Sequence, residues 1–459
     1  MVLFLKYIGP FLKLNCLNNE NIKNQLFYLA KESIKLIVLT SGLGITMSPK
    51  QLKNKNFPTN DISTFNSISP LLCIYKKGDS KLNYIEKKLD WSNSKVKKEI
   101  LISSCGYMTL NLIDLSKHYE KLEKLYPKKF CYNSLFLFLS KAQLEFYALN
   151  LRNFEGFFVD KINISDPLNS DYKFENRVKE IKISDQAIMM LSYFDYSKVS
   201  NEEDAASFYD FSMDIFNILR DYKNTFYDFS ISELSKLMLI INIFYQNNSN
   251  EDVLSFLLDT SDYLISRALQ YDNNKLDLME VSMLSLNCIL LYKSTKLLNY
   301  KDIAQDFMGR LLALYSVDDG IFIKNSDKKE FSISACEILL YLINLIIYSE
   351  VFGINESSKI SNIFKHQVIE SGIIGSWPEV PSLDNPERYK NFSLLAEDII
   401  DEQNFKLSTI PNVEISSIAP VFVKNVHYNK KKNNFTAKRN SFYSEDNMFI
   451  FFLILHFFK

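Results

Sequence analysis

Phe229-Ser230-Ile231-Ser232 recurs letter for letter as Phe331-Ser332-Ile333-Ser334, and a long apolar run with helical spacing follows each copy. Four stretches open in this related way: Ile183-Ser184-Asp185, Ile231-Ser232-Glu233, Leu278-Met279-Glu280 and Ile333-Ser334-Ala335. The steps from Ser184 to Ser232, Glu280 and Ser334 are 48, 48 and 54 residues. A period of that length holds two helices and their connections, so the pattern predicts a ring or stack of helical hairpins.

Two kinds of helix alternate along the repeat. Those starting near 184, 230, 278 and 332 are the more apolar, and Ile338 to Ile347 is hydrophobic nearly all round, which requires enclosure on several sides. Those near 132–150, 202–222, 250–271, 300–315 and 356–370 carry charge on one face, as in Glu202-Glu203-Asp204 and Asp302-Asp306-Arg310. An inner ring of buried helices wrapped by an amphipathic outer ring accounts for both, so the expected fold is all-α, an α/α toroid over 126–459. Ser184, Ser232 and Ser334 stand where helix caps belong, with acidic residues close behind two of them.

Outside the repeat, 1–125 reads as a helical N-terminal section. It has one helix over Asn21–Thr40, a stop at Ser41-Gly42-Leu43-Gly44, a polar loop over Lys50–Ser69 and a helix over Lys97–Lys124 split near Gly106. Beyond 372 five prolines crowd the chain, and only 387–402 looks helical. Val421 to Tyr428 alternates and is expected to pair with 434–438 as a small C-terminal β-hairpin. A closing helix follows over 442–458.

The chain has 459 residues, longer than one ordinary core supports, but a toroid extends its core with each hairpin. Hydrophobic content of 47% is ample for burial. With 53 basic against 54 acidic residues there is no global field for nucleic acid or an anionic membrane, and neither is expected as a partner. The basic run Lys430–Lys432 reads as a solvated hairpin tip. The six cysteines have no CxxC-like spacing and the four histidines are scattered, so free buried thiols and no metal or other cofactor are expected. Met1–Leu14 lacks the features of a signal peptide, and Met448–Phe458 is too short to span a bilayer. These features give a soluble, cytoplasmic protein as the expectation.

Glu155-Gly156-Phe157-Phe158-Val159-Asp160-Lys161 and Asp319-Gly320-Ile321-Phe322-Ile323-Lys324-Asn325 share a tight turn running into a short extended segment. A third connection contains Gly375-Ser376-Trp377-Pro378-Glu379. An acidic-Gly-apolar-Phe turn followed by a Ser-Asp pair opening an inner helix resembles the six-hairpin (α/α toroid) glycosidase-like proteins, over about 150–380. Gly375-Ser376-Trp377 is similar to the turn of terpene cyclase repeats. It occurs once here, without the Asp-rich segment that binds metal in those proteins.

The glycosidase-like resemblance implies two carboxylates flanking a scissile bond, one protonated and one ionised. Candidates are Asp185, Asp160, Asp319 and Glu379, with Asp318 beside them. Asp185 is the best placed, at an inner-helix entrance. Sugar would stack on Trp377, Phe157, Phe158 or Tyr193, with Gln186 as a further polar contact. An acid after a helix cap commonly serves the dipole, and one before glycine commonly serves a turn. The rival expectation is a non-catalytic protein on the same scaffold that binds a carbohydrate, a peptide or a protein partner, and a third is a purely structural component.

Overall fold

The computed structural model describes residues 5–6, 18–48, 68–85, 88–92, 95–125, 132–166, 172–177, 181–200, 205–270, 276–324, 328–378, 410–411, 417–437 and 441–459. Twelve α-helices dominate them. In chain order these are α1 (Asn19–Thr40), α2 (Ile102–Leu125), α3 (Tyr132–Asn150), α4 (Ile183–Val199), α5 (Ala205–Asp221) and α6 (Ile231–Asn248). They are followed by α7 (Glu251–Leu269), α8 (Leu278–Thr295), α9 (Leu298–Leu312), α10 (Ala335–Phe352), α11 (Ser357–Ile363) and α12 (Ser444–Phe457). A π-helical turn, Phe364–Glu370, continues α11.

Burial sorts the helices into two kinds, as the composition predicts. In α2, α4, α8, α10 and α12 long runs are buried without a break, for example Ile183–Tyr196, Val281–Leu291 and Ala335–Ser349. In α7 the buried residues are Val253, Phe256, Leu257, Thr260, Ser261, Leu264, Ile265 and Ala268, the stripe of a helix packed on one side. Among the described residues only α10 is long and apolar enough to cross a membrane, and it is mostly buried inside the protein.

The buried helices pack in succession: α2 on α4, α4 on α6, α6 on α8, α8 on α10, α10 on α12, and α12 on α2. Each also packs on a further helix: α2 on α3, α4 on α5, α6 on α7, α8 on α9, α10 on α11, and α12 on α1. Polar side chains stitch neighbouring buried helices together. Asn111 Nδ2 donates to the Met448 carbonyl at 3.2 Å and Ser192 Oγ to the Gly106 carbonyl at 3.3 Å. Asn287 Nδ2 donates to the Ser235 carbonyl and Asn344 Nδ2 to the Ser282 carbonyl, each at 2.9 Å. Asn111, Ser192, Asn287 and Asn344 are each the tenth residue of their helix.

The chain is mainly helical rather than all-α, and its sheets exceed one small hairpin. An antiparallel sheet runs in the order Phe442–Tyr443, Leu71–Gly78, Lys97–Ile100, Lys161–Asn163 and Phe174–Asn176, with Gly44–Thr46 also paired to Leu71–Gly78. It draws on residues both before and after 125. Lys97–Ile100 is therefore strand where helix is expected, and α2 passes through Gly106 unbroken. The reason for that glycine is contact: a Cβ there would lie 2.2 Å from Cγ2 of Ile188 on α4. The expected hairpin is present as Asn425–Asn429 with Asn434–Ala437, and Glu330–Ser334 adds a third strand to it. Of the three expected caps only Ser334 serves. Ser230 caps α6 in place of Ser232, and Lys182, with no side-chain cap bond, precedes α4. The expected helix at 387–402 lies outside the described residues.

Candidate functional site

The first turns of the buried helices collect acids because the free N–H groups and positive dipole end there favour negative charge. Ser334 and Glu337 form a capping box on α10, and Asp277 and Glu280 form one on α8. Glu233 opens α6, and Glu445 with Asp446 opens α12. Strands lead directly into α2, α10 and α12, so the sheets border these same helix starts. Asp114, midway along α2, lies 2.9 Å from Lys459 Nζ and 3.7 Å from His456 Nδ1. Against the upward push of burial, His456, Lys459 and Lys117 hold it well below the usual carboxylate range.

Asp160 and Asp185 share one ammonium. Lys182 Nζ lies 3.0 Å from Asp160 Oδ2 and 3.7 Å from Asp185 Oδ2, so the two carboxyl groups flank a single ammonium. Both acids are buried, at 5% and 3% exposure. Asp160 is fully engaged: Oδ1 accepts from Ile102 N at 2.9 Å, the first amide of α2, and Arg177 Nη1 approaches Oδ2 at 3.4 Å. Asp185 differs. Burial pushes its carboxyl up to about 8; Lys182 opposes the shift, and Asp160, Glu233 and Glu445 add to it. For Lys182 burial works downward, yet Asp185 and Asp160 keep its ammonium above the usual range.

The other residues singled out from sequence separate into a buried set and a turn set. Gln186 is buried and clamps the Phe158 backbone, accepting from Phe158 N at 3.0 Å and donating to its carbonyl at 2.8 Å. Phe158 and Tyr193 are core, their rings 6.2 Å apart, and the Tyr193 hydroxyl donates to the Leu144 carbonyl at 2.7 Å. No ring face is offered there to a ligand from solvent. Phe157 is half-buried and edge-on to the exposed Tyr222 at 5.5 Å. Trp377 is half-buried against the core, next to Ser376, whose hydroxyl donates to the Ile418 carbonyl at 2.6 Å. Asp319 accepts from Ser316 Oγ at 2.8 Å and so serves its own turn, far in sequence from the Asp160–Asp185 pair, and Asp318 is exposed. Glu379 lies outside the described residues.

The clamp that follows the repeated turn occurs a third time, without the turn's glycine. Gly156 and Gly320 both take positive φ, 94° and 67°, which lets the chain reverse before Phe158 and Phe322. Gln367 clamps Phe322 as Gln186 clamps Phe158, and Asn447 clamps Phe422 in the same way. Phe422-Val423-Lys424 thus matches Phe322-Ile323-Lys324 in structure as well as in letters.

Three residues at the helix starts escape a repeat-based reading. Lys182 precedes the repeat by one residue. Glu233 is visible as part of a repeat opening, but only the fold shows it accepting from Ser184 N of the neighbouring helix at 2.9 Å. Tyr107 lies in α2, before any recognisable period. It is 3% exposed, and its hydroxyl has no hydrogen-bond partner among the described residues. The described residues contain no group of three or more His, Cys, Asp or Glu side chains able to hold a metal ion. No protein-family model matches the chain, and no curated protein matches it.

Proposed function

We propose that the helices form an α/α toroid, with α2, α4, α6, α8, α10 and α12 inside and their partner helices outside, and that the mouth at the inner-helix starts is a carbohydrate-directed site. The succession of packing contacts, which returns from α12 to α2, supports the ring. The observation that carries the functional reading is Asp185: a buried carboxyl raised by that burial above its ordinary range, at an inner-helix entrance and sharing Lys182 with a second carboxylate.

In glycoside hydrolysis such an acid donates its proton to the departing glycosidic oxygen. An ionised carboxylate removes a proton from the attacking water or attacks the anomeric carbon itself. Glu233, half-buried on the adjacent helix, takes that second role, because Asp160 is committed to Ile102, Lys182 and Arg177. Buried free thiols at Cys73, Cys105, Cys288 and Cys336 support a reducing compartment, the cytoplasm.

One observation favours the alternative of a binding protein without turnover: both neighbours of Asp185 already accept strong hydrogen bonds, Asp160 from Ile102 N and Glu233 from Ser184 N. The deciding experiment assays wild type and Asp185→Asn for binding and hydrolysis of neutral oligosaccharides. Hydrolysis lost in the variant with binding retained supports the enzyme. Binding without hydrolysis in both proteins selects the binding reading, and no binding in either sinks the carbohydrate assignment.

A further inference from the structure

Six side chains, alternately basic and acidic, make one continuous row from the antiparallel sheet to the start of α4. Lys76 Nζ lies 2.9 Å from Glu99 Oε2, and Arg177 Nε lies 2.7 Å from the same oxygen. Arg177 Nη1 lies 3.4 Å from Asp160 Oδ2. Lys182 Nζ follows, 3.0 Å from that oxygen and 3.7 Å from Asp185 Oδ2. The strand order sets this spacing. Lys76 and Glu99 belong to the neighbouring strands Leu71–Gly78 and Lys97–Ile100, Asp160 immediately precedes Lys161–Asn163, and Arg177 immediately follows Phe174–Asn176. Arg177 N also donates to the Asp160 carbonyl at 2.8 Å, so main chain and side chain together hold these two residues.

Each inner cation of the row is shared by two acids, and the sharing couples its ends. Arg177 divides its planar fork, Nε to Glu99 and Nη1 to Asp160, which a guanidinium can do because its N–H groups point in fixed, different directions. Asp160 Oδ2 receives both Arg177 and Lys182, while Oδ1 is taken by Ile102 N. A firmer hold of Arg177 on Asp160 leaves more of the Lys182 ammonium to Asp185, and a weaker hold leaves less. The side chains of Glu99 and Arg177 are only 22% and 30% exposed, so salt screens their pair less than a surface pair.

We propose that Glu99 and Arg177 are positioning residues for Asp185: from the sheet they govern how far Lys182 is drawn to Asp160 and how far it is left to the candidate acid. The inference rests on the reading of Asp185 above and assigns the regulation of that site to the sheet. Lys182 opposes the upward push of burial on the Asp185 carboxyl, so its withdrawal raises the pH at which Asp185 titrates. The other titratable groups that bear on Asp185 are Glu233 of α6, Glu445 of α12, and Tyr107 and Cys105 of α2. All of these stay in place in the variants below.

The test compares full-length wild type, Glu99→Gln, Arg177→Gln and the double variant, each with Asp and with Asn at 185. All are denatured without ligand from pH 5 to 10, and the readout is the pH midpoint of the Asp185-dependent change in stability. Arg177→Gln is expected to raise that midpoint by about one unit and Glu99→Gln to lower it. In the Arg177→Gln background Glu99→Gln is expected to have no effect, because its influence passes through the guanidinium. An equal shift from Glu99→Gln in both backgrounds would show a direct field and overturn the proposal. Unmoved midpoints, or no Asp185-dependent change in wild type, would overturn it as well. If Arg177→Gln does not fold, Arg177→Lys replaces it: one ammonium cannot hold both acids as the fork does, so the effect of Glu99→Gln is again expected to vanish. No sugar enters these measurements, so a failure of the carbohydrate reading shows only in the oligosaccharide assays and is not confused with a failure here.

Discussion

Asn447 grips the backbone of Phe422 with both of its amide atoms, accepting from Phe422 N at 2.8 Å and donating to its carbonyl at 3.0 Å. The side chain replaces a strand that the sheet does not supply, and it is buried with the residue it holds. Gln186 and Gln367 do the same for Phe158 and Phe322. Asn447→Leu leaves a buried N–H and a buried C=O unpaired and is expected to cost about 2–4 kcal/mol. Urea denaturation measures it. A loss within error would mean that water reaches Phe422.

Asp185 makes stability depend on pH in a stated direction. Its folded carboxyl titrates near 8 and its unfolded one near the ordinary value of about 4. The folded state thus retains a proton that the unfolded state loses as pH rises between those values, and this group's contribution to stability declines across that window. Lys182, Asp160, Glu233 and Glu445 are the charged groups that bear on it. Asp185→Asn removes the decline, and above pH 8 the variant's midpoint is expected to exceed that of wild type by about 2–4 °C. Parallel curves for the two proteins from pH 5 to 8 would sink the assignment.

Lys182 supplies the opposing test at the same site. Its ammonium lowers the Asp185 carboxyl, so Lys182→Met is expected to move the midpoint of the decline to higher pH. The readout is the pH at which half of the Asp185-dependent stability is lost, taken as the difference between backgrounds with Asp and with Asn at 185. A move to lower pH would contradict the geometry.

Gly106→Ala tests the close approach of α2 to α4. The new methyl meets Ile188 Cγ2, and the Ser192 bond to the Gly106 carbonyl lies beside it. Overpacking of this kind costs about 1–3 kcal/mol, and Ile188→Ala in the same chain should recover part of it. An alanine accepted without cost would show that the two helices can separate freely.

Asn287 accepts from Asn242 Nδ2 at 3.1 Å while donating to the Ser235 carbonyl. Asn287→Leu therefore strands a buried amide and is expected to cost about 2–3 kcal/mol. Adding Asn242→Leu should restore a share of the loss, a coupling that a double-mutant cycle by denaturation reads.

The helices were readable because their period survives in the letters, and burial followed composition: α10 is apolar all round and enclosed, α7 is striped and one-sided. The strands were not readable, for a reason that the repeated tetrapeptide makes plain. Phe229-Ser230-Ile231-Ser232 enters a helix after Ser230, whereas Phe331-Ser332-Ile333-Ser334 is a strand to its last residue. The difference comes from Asn425–Asn429, nearly a hundred residues on, which pairs with the second copy alone. Asp185 was legible by its position at a helix entrance. The upward push on its carboxyl was not, because that depends first on burial and then on Asp160, Glu233 and Glu445 arriving from three other segments. Gln186 was legible as a polar residue at the right place, but its partner turned out to be main chain.

The packing of α12 on α2 has a consequence for how the molecule is made. Asn111 and Met448 are joined across a sequence separation of 337 residues, and Phe442–Tyr443 pairs with Leu71–Gly78 at the far end of the sequence. Contacts this distant pay a large loop entropy before they stabilise anything. On the ribosome, α2 and α10 therefore wait with one apolar flank uncovered until α12 has been translated. That interval, more than any weakness of the finished fold, is when this chain is most exposed to aggregation and most in need of a chaperone.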